Sequence, residues 1–172
     1  DAARAPLVQR EVFCMMKKAV FITNAQARAK VSDHPWKRQT PFNTREQQAV
    51  PGDGLMLFRC EFDLPEKARA ATVRATALGV FDMFVNGVRV GAKTEDGMRY
   101  DELKPEWTDY HHRVFSYEYD LLPLCDGRRH NTLIVAVSPG WWAGPLSCGY
   151  YTEDGVTAFC GEIEVVGADG KA

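Results

Sequence analysis

The chain has 172 residues, of which 45% are apolar and 26% charged, and its formal net charge is −2. This length is typical of one domain with a real core, and the composition is that of an ordinary globular protein. The small negative net charge gives no excess of basic residues of the kind that favours binding to nucleic acid or an anionic membrane. No run approaches the ~20 apolar residues that a membrane-spanning helix needs. We therefore expect neither nucleic acid nor a membrane span.

The first 54 residues contain little regular pattern. Residues 18–23 have the composition of a short strand, and residues 44–50 have the pattern of one or two helical turns. Residues 24–54 are otherwise polar and contain three prolines, which favours an irregular connection. We expect residues 1–54 to form an N-terminal strand and a long connection packed on residues 55–172. The whole chain is then a single domain.

Strand patterns dominate the remaining chain. Residues 56–64 alternate apolar and polar side chains, as an antiparallel strand with one buried face does, and a proline ends the run. Cys60 lies on the apolar face of this run, so it is predicted to be buried. In residues 68–78, Val73, Ala75 and Ala77 share one face.

The segment FDMFVNGVRVG, residues 81–91, predicts a tight β-hairpin. Two apolar runs flank Asn86 and Gly87. A two-residue type I′ turn needs positive φ at both central residues, and Asn and Gly tolerate that best. Val88 and Val90 are predicted to continue as the return strand.

Three later runs complete an all-β pattern. In the first, Phe115, Tyr117 and Tyr119 share one face, so both tyrosines are predicted to lie in the core. The second is apolar throughout, which is typical of a central strand. These runs are residues 112–120, 132–137 and 159–166. About eight strands with almost no helical periodicity predict an antiparallel β-sandwich or jelly roll.

The five cysteines are an odd number, and none has the spacing of a zinc site. Cys148 and Cys160 flank a predicted loop. An oxidising compartment would permit them to pair, but the spacing favours two thiols over a disulfide. The sequence leaves this alternative open.

Three stretches, taken in order, carry a family resemblance. They are ATALGVFDMFVNGVRVG (75–91), LKPEWTDYHHRVFSYEYDL (103–121) and LIVAVSPGWWAG (133–144). Together they resemble the N-terminal β-sandwich domain of bacterial α-L-rhamnosidases of glycoside hydrolase family 78. That domain typically reads "SA-G-YE-Y-NG-RVG", "PGWTDY-KRV-Y-TYDVT" and "GNGWY-G". The resemblance implies a jelly roll like that of galactose-binding domains. It also implies that the chain is a fragment of a larger enzyme, periplasmic or secreted rather than cytoplasmic.

The function that this resemblance implies is that of a non-catalytic accessory domain. The parent enzyme would hydrolyse terminal α-L-rhamnose from glycans or glycosides. Its acid and base carboxylates would lie in a helical barrel downstream, so we expect no catalytic residue here and an inactive chain. The implied partners are other domains of the same polypeptide and, weakly or not at all, a rhamnose-containing carbohydrate. Two alternatives remain: a stand-alone carbohydrate-binding module and a structural or protein-interaction jelly roll.

Aromatic residues outside the strands are the candidate sugar contacts. Sugars stack their C–H faces on flat rings, while polar groups fix their hydroxyls. In a β-sandwich the loops at one end gather together, so we expect the WTDY and WW loops to converge. On extended backbone, the two adjacent tryptophans would face opposite ways. The candidates are Trp107, Asp109, Tyr110, Trp141 and Trp142.

The loop of residues 93–109 mixes six acidic with three basic residues. This mixture favours a solvated loop over acid–base chemistry. Modules related to the family domain bind L-rhamnose through calcium, using oxygens of this loop and an Asn before the Gly of "GNGW". Pro139 stands at that last position and offers no side-chain oxygen, whereas calcium takes 6–8 oxygen ligands. We therefore expect no cofactor, with Asp96 and Asp101 as weak candidate metal ligands.

Overall fold

The computed structural model describes residues 16, 18–23, 55–110, 112–143 and 156–170. Nine strands and two single-turn helices lie within these ranges. They are β1 (Met56–Asp63), β2 (Ala70–Leu78), β3 (Val80–Val85), β4 (Val88–Arg89), β5 (Ala92–Thr94), β6 (Gly97–Arg99), β7 (Tyr117–Asp120), α1 (Leu122–Cys125), β8 (His130–Ser138), α2 (Gly140–Ala143) and β9 (Ala158–Val166). In this part of the chain, no helix has the length and apolarity that crossing a membrane requires.

The strands form two main sheets and a small ribbon. One sheet has the order β1-β8-β3-β4, the other has the order β7-β2-β9, and β5 pairs with β6. Every pairing is antiparallel. The inward faces of both main sheets contribute to one buried apolar cluster. The prediction of an all-β antiparallel sandwich is confirmed.

The core follows the predicted strand faces. Val73, Ala75 and Ala77 of β2 are at most 1% exposed, which confirms the face predicted for that strand. Strand β8 lies between β1 and β3, as the apolar run predicted for a central strand. Phe81 of β3 meets Phe159 of β9 edge to face, with ring centroids 5.8 Å apart. This contact joins the two sheets.

The β3–β4 hairpin has the predicted turn. Asn86 and Gly87 have φ values of 51° and 85°, and Val85 pairs with Val88. The Asn86 side chain adds contacts that the turn pattern does not predict. Its Nδ2 donates to Oδ1 of the buried Asn131 at 2.8 Å, and its Oδ1 accepts from the Thr132 amide at 3.1 Å. The turn is thus fastened to β8 by its own asparagine.

Two predicted strands are shorter than their patterns. Residues 18–23 form only an isolated bridge, at Ile22 and Phe159, instead of a strand. Strand β7 begins at Tyr117 instead of residue 112, because the Arg113 amide and carbonyl close a turn with Asp109 and Thr108. A backbone that closes a turn cannot pair in a sheet at the same residues.

The tyrosines of β7 differ in depth. Tyr119 is 4% exposed and belongs to the core, as predicted, whereas Tyr117 is half-buried. Their rings stack with centroids 6.3 Å apart.

The cysteines depart from the sequence analysis. Cys60 is exposed, so the prediction that it is buried is wrong. It lies on β1, an edge strand, and lines a cleft of about 580 Å³ bordered by β1 and β9. Cys160 is buried, with its Sγ 3.9 Å from Sδ of Met16. Cys148 and residues 24–54 lie outside the described residues, so the predictions for that pairing, the helical turns and the connection remain predictions.

Candidate carbohydrate-contact loop

The platform loop, residues 100–110, connects β6 to the turn that precedes β7. It is anchored by Lys104 and Pro105, which are both fully buried. The Lys104 carbonyl accepts a hydrogen bond from the Phe81 amide at 2.8 Å, which fixes the middle of the loop to β3. The loop therefore runs against the sandwich instead of standing away from it.

The Lys104 ammonium lies in a cage of one carboxylate and two rings. Its Nζ is 3.0 Å from Oδ1 of Asp82, and it lies 5.4 Å and 5.7 Å from the ring centroids of Tyr119 and Phe81. A charged hydrogen bond and two cation–π contacts take the place of water around this cation. The prediction of a solvated loop is wrong at Lys104, because this side chain is 0% exposed.

Asp82 connects this cage to a second ion pair at the surface. Its Oδ2 accepts from Nε of Arg89 at 2.5 Å. The Arg89 guanidinium also makes two hydrogen bonds to Glu102, at 2.9 and 3.0 Å, and lies over the Tyr100 ring. These hydrogen bonds hold the pKa of Glu102 below its usual range and raise the pKa of Arg89.

Three tyrosine hydroxyls also fasten the loop. Tyr119 donates to Asp101 Oδ2 at 2.7 Å, and Tyr117 donates to Glu106 Oε1 at 3.1 Å. Tyr110 donates to the Glu106 carbonyl at 3.0 Å. Burial, reinforced by the neighbouring carboxylates, raises the pKa of both Tyr117 and Tyr119. Their phenols therefore stay protonated and keep donating at pH values where an ordinary tyrosine ionises.

The backbone of the loop is strained on both sides of its anchor. Leu103 and Glu106 have φ values of 55° and 69°, in the left-handed region that costs a non-glycine residue about 1–2 kcal/mol. Leu103 is 56% exposed, and Trp107 is 59% exposed. The loop thus presents two large apolar side chains on a backbone fixed to the core.

Tyr110 and Trp142 are less accessible than Trp107. Tyr110 is 7% exposed, and its ring packs on that of Trp142 with centroids 5.4 Å apart. Trp142 is half-buried, and its Nε1 donates to the Val156 carbonyl at 3.2 Å. The WTDY and WW loops therefore meet, but through two rings that pack on each other. Asp109 is exposed, 3.5 Å from Nε2 of His112.

The expectation of extended backbone at Trp141 and Trp142 is wrong. Both lie in the single turn of α2, which begins at Gly140 with φ of 51°. Successive residues of a helix point about 100° apart rather than in opposite directions. Trp141 is half-buried like its neighbour.

No cluster of three His, Cys, Asp or Glu residues in the described ranges is arranged to hold a metal ion. Asp96 lies in the exposed turn between β5 and β6, whereas Asp101 is bonded to Tyr119. Among the described residues, these two weak candidate ligands therefore belong to no group of three such side chains.

The residues that fix the loop, chiefly Asp82, Arg89 and Lys104, were not among the predicted site residues. One signal was available for the first pair. With Phe84 opposite Arg89 in the hairpin register, Asp82 becomes the diagonal cross-strand neighbour of Arg89. Nothing local marks Lys104 as buried, since it stands among charged residues.

Comparison with known proteins shows the family of this chain. The family model described as "Alpha-L-rhamnosidase N-terminal domain" matches residues 66–172. This chain belongs to that family. The resemblance predicted from the sequence is confirmed. The chain is a domain of the α-L-rhamnosidase N-terminal family.

Individual relatives agree with this assignment. An α-L-rhamnosidase of Streptomyces avermitilis is 35% identical over 140 residues, covering 80% of this chain and 12% of the relative. An α-L-rhamnosidase of Alteromonas is 30% identical over 89 residues, covering 52% of this chain and 9% of the relative. The chain thus spans about a tenth of the length of these relatives.

Solved structures support the same fold. The S. avermitilis α-L-rhamnosidase complexed with L-rhamnose has a TM-score of 0.55 and 37% identity, covering 68% of this chain and 11% of that one. The Aspergillus terreus α-L-rhamnosidase has a TM-score of 0.58 at 24% identity, covering 68% of this chain and 13% of that one. The second likeness supports the fold alone.

Proposed function

We propose that this domain is a non-catalytic part of a multidomain α-L-rhamnosidase and presents the platform loop to neighbouring domains. The observation that carries this proposal is the exposure of Leu103 and Trp107 on either side of the buried Lys104 anchor. Exposed apolar side chains on a rigid support are typical of contact surfaces. The proposal also agrees with the small share of each relative that the chain covers.

The acidic residues of the loop support an accessory rather than a catalytic role. Asp101 is held by Tyr119, and Glu102 is held by Arg89. Glycoside hydrolysis requires two carboxylates that face each other across the scissile bond, whereas these two fix the loop. We expect the purified chain to release no product from an aryl α-L-rhamnoside. Dose-dependent release by the pure chain would contradict this expectation.

The packing role is tested by thermal unfolding of two proteins. One is this chain alone, and the other is the chain joined to the catalytic part of its enzyme. Trp107→Ser should leave the Tm of the chain unchanged but lower that of the joined protein by several degrees, because only there would Trp107 be covered. Val88→Ser is the matched control, since Val88 is 49% exposed on the hairpin. Equal Tm values for wild type and Trp107→Ser in the joined protein would contradict the packing role.

A second function, weak saccharide binding, is favoured by one specific observation. The exposed Trp107 directly follows the exposed carboxylate of Glu106. Sugars are recognised by flat rings together with hydrogen-bonding groups, and this loop exposes residues of both kinds. With one ring and one or two hydrogen bonds, we expect a Kd in the high-micromolar to millimolar range.

This binding is tested by titrating L-rhamnose into the chain while following tryptophan fluorescence, with and without a chelator. Trp107→Ala should abolish the response, and the chelator should change little because Pro139 supplies no side-chain oxygen. Undiminished binding by Trp107→Ala would exclude this ring as the platform. Binding that the chelator removes would show that a metal is required.

A further inference from the structure

We infer that a cavity at the end of the sandwich opposite the platform loop binds the anionic group, a carboxylate or a sulfate, of a small ligand. The cavity measures about 270 Å³ and lies between the loop from β1 to β2 and the loop from α1 to β8. Its basic lining residues are Lys67, Arg128 and Arg129. This inference does not depend on the function proposed for the platform loop.

The location of the cavity separates it from the platform loop. Strand β1 ends at Asp63, which pairs with His130 where β8 begins, so the cavity lies at this end of β8. The platform loop is held by Phe81, which pairs with Val137 near the other end of β8. At ~3.4 Å per residue, these two positions on β8 are about 24 Å apart. A small ligand in the cavity therefore does not reach the platform loop.

The wall that carries the two arginines is held by hydrogen bonds. The Leu64 amide donates to the Arg129 carbonyl at 2.7 Å, which joins the two loops. Nδ2 of the buried Asn131 donates to the carbonyls of Arg128 and Arg129, at 3.0 and 3.2 Å. Both arginines therefore branch from backbone that is fixed before a ligand binds, which lowers the entropy lost on binding.

The cations of the cavity are not neutralised by ion pairs. Among the described residues, Lys67, Arg128 and Arg129 have no carboxylate partner. The two loops, residues 64–69 and 126–129, contain four basic and two acidic residues, and one of the acidic residues lines the cavity. Basic side chains elsewhere in the sandwich do pair with carboxylates, namely Arg59, Arg74, Arg89 and Lys104. Uncompensated positive charge is therefore concentrated around this cavity, and it attracts anions.

The lining of the cavity defines the class of ligand. An arginine guanidinium matches two oxygens of a carboxylate or a sulfate with paired N–H donors. The buried Leu64, together with Ala68 and Leu122, supplies an apolar part of the lining that suits C–H groups of the ligand. The volume lies just below the range of ~300–1,000 Å³ that is usual for small-molecule sites. We therefore expect an acid or a sulfate ester the size of one monosaccharide.

The experiment titrates the chain with three sugars that share one ring, at constant ionic strength. The sugars are D-glucuronate, D-glucose 6-sulfate and D-glucose. Amide chemical shifts in proton–nitrogen NMR spectra report binding, with Gly127 as the reporter because it lines the cavity. We expect one or both anions to shift the Gly127 resonance, and the stronger of the two identifies the anionic group. D-Glucose should leave this resonance unchanged. Equal shifts with all three sugars, or no shift with either anion, would overturn the inference.

Arg128→Gln and Arg129→Gln test the assignment to the arginines. Both side chains are exposed, so the variants should keep the Tm of wild type and weaken binding of the preferred anion about tenfold. Arg99→Gln, which removes the same charge from the exposed β6, should bind like wild type, and so should Trp107→Ala. Equal weakening by either control would overturn the site, as would wild-type affinity in both arginine variants. The preference of wild type for the anions over D-glucose is measured without any variant.

Discussion

The buried lysine of the platform loop gives the sharpest prediction for stability. Lys104→Ala removes three methylenes from a fully buried stem, together with the ammonium. At about 0.8 kcal/mol per methylene, the lost burial is worth about 2 kcal/mol. The lost hydrogen bond to Asp82 adds about 1.5–3 kcal/mol, but relief from burying a charge offsets much of it. We expect a net loss of about 2–4 kcal/mol.

Lys104→Met separates packing from charge. Methionine keeps most of the apolar stem, and Asp82 retains its hydrogen bonds to Arg89 and to the Met83 amide. Because no buried carboxylate is left without a partner, we expect this variant to lie within about 1.5 kcal/mol of wild type. The ranking of the two variants therefore reports which part of the side chain stabilises the loop.

Urea unfolding followed by far-UV circular dichroism measures both variants, with Lys93→Ala on the exposed β5 as the control. A Lys104→Ala protein within about 0.5 kcal/mol of wild type would refute the burial of this side chain. A Lys104→Met protein as unstable as Lys104→Ala would show that the charge matters more than the stem.

Three further predictions concern the hairpin and the titrating groups. Asn86→Gly keeps a residue suited to positive φ but removes the side-chain hydrogen bonds to Asn131 and to the Thr132 amide. Urea unfolding should therefore show that the free energy of unfolding falls by about 1–3 kcal/mol. Stability equal to wild type would contradict this. Because burial raises the pKa of Tyr119 above the value of about 10 in the unfolded chain, its contribution is complete below pH 10 and is lost as the pH rises further. The Tm should therefore fall above pH 10, less steeply in Tyr119→Phe, while equal slopes would contradict the assignment. Because Arg89 lowers the pKa of Glu102, their pair contributes above the ordinary glutamate range and is lost as the pH falls through the lowered value. The Tm values of wild type and Glu102→Gln should converge in acid, and a constant difference from pH 7 to pH 2 would count against the pair.

The hairpin and the strand faces were predictable because their signals are local. Asn86 and Gly87 specify their turn by their own conformational preferences. The alternation in β2 identifies its buried face without knowledge of its partners. An alternation with a period of two residues can be recognised within a single strand, without knowing which strands pair with it.

The anchoring of the platform loop was not predictable from local pattern. Lys104 is buried because the fold brings Phe81, Asp82 and Tyr119 around it from two other strands. Its own neighbours in the sequence indicate an exposed loop. The cage is formed by three separate segments, so no alternation or motif within any one of them predicts it.

The same limit applies to the candidate site. The aromatic pattern selected Trp107 and Trp142 alike, and only tertiary contacts distinguish them. Trp142 packs on Tyr110, whereas Trp107 is exposed. The left-handed φ of Glu106 and its hydrogen bond from Tyr117 likewise depend on tertiary structure.

The central claim is that Trp107 is a contact residue of an accessory domain. Labelling with 5-fluorotryptophan tests it by fluorine NMR, since the chain has four tryptophans and Trp107→Phe assigns one resonance. We expect the Trp107 resonance to shift when L-rhamnose is added, when the catalytic part of the enzyme is joined to the chain, or in both cases. A Trp107 resonance that stays at the same position and equally exposed to solvent in both experiments would contradict the claim.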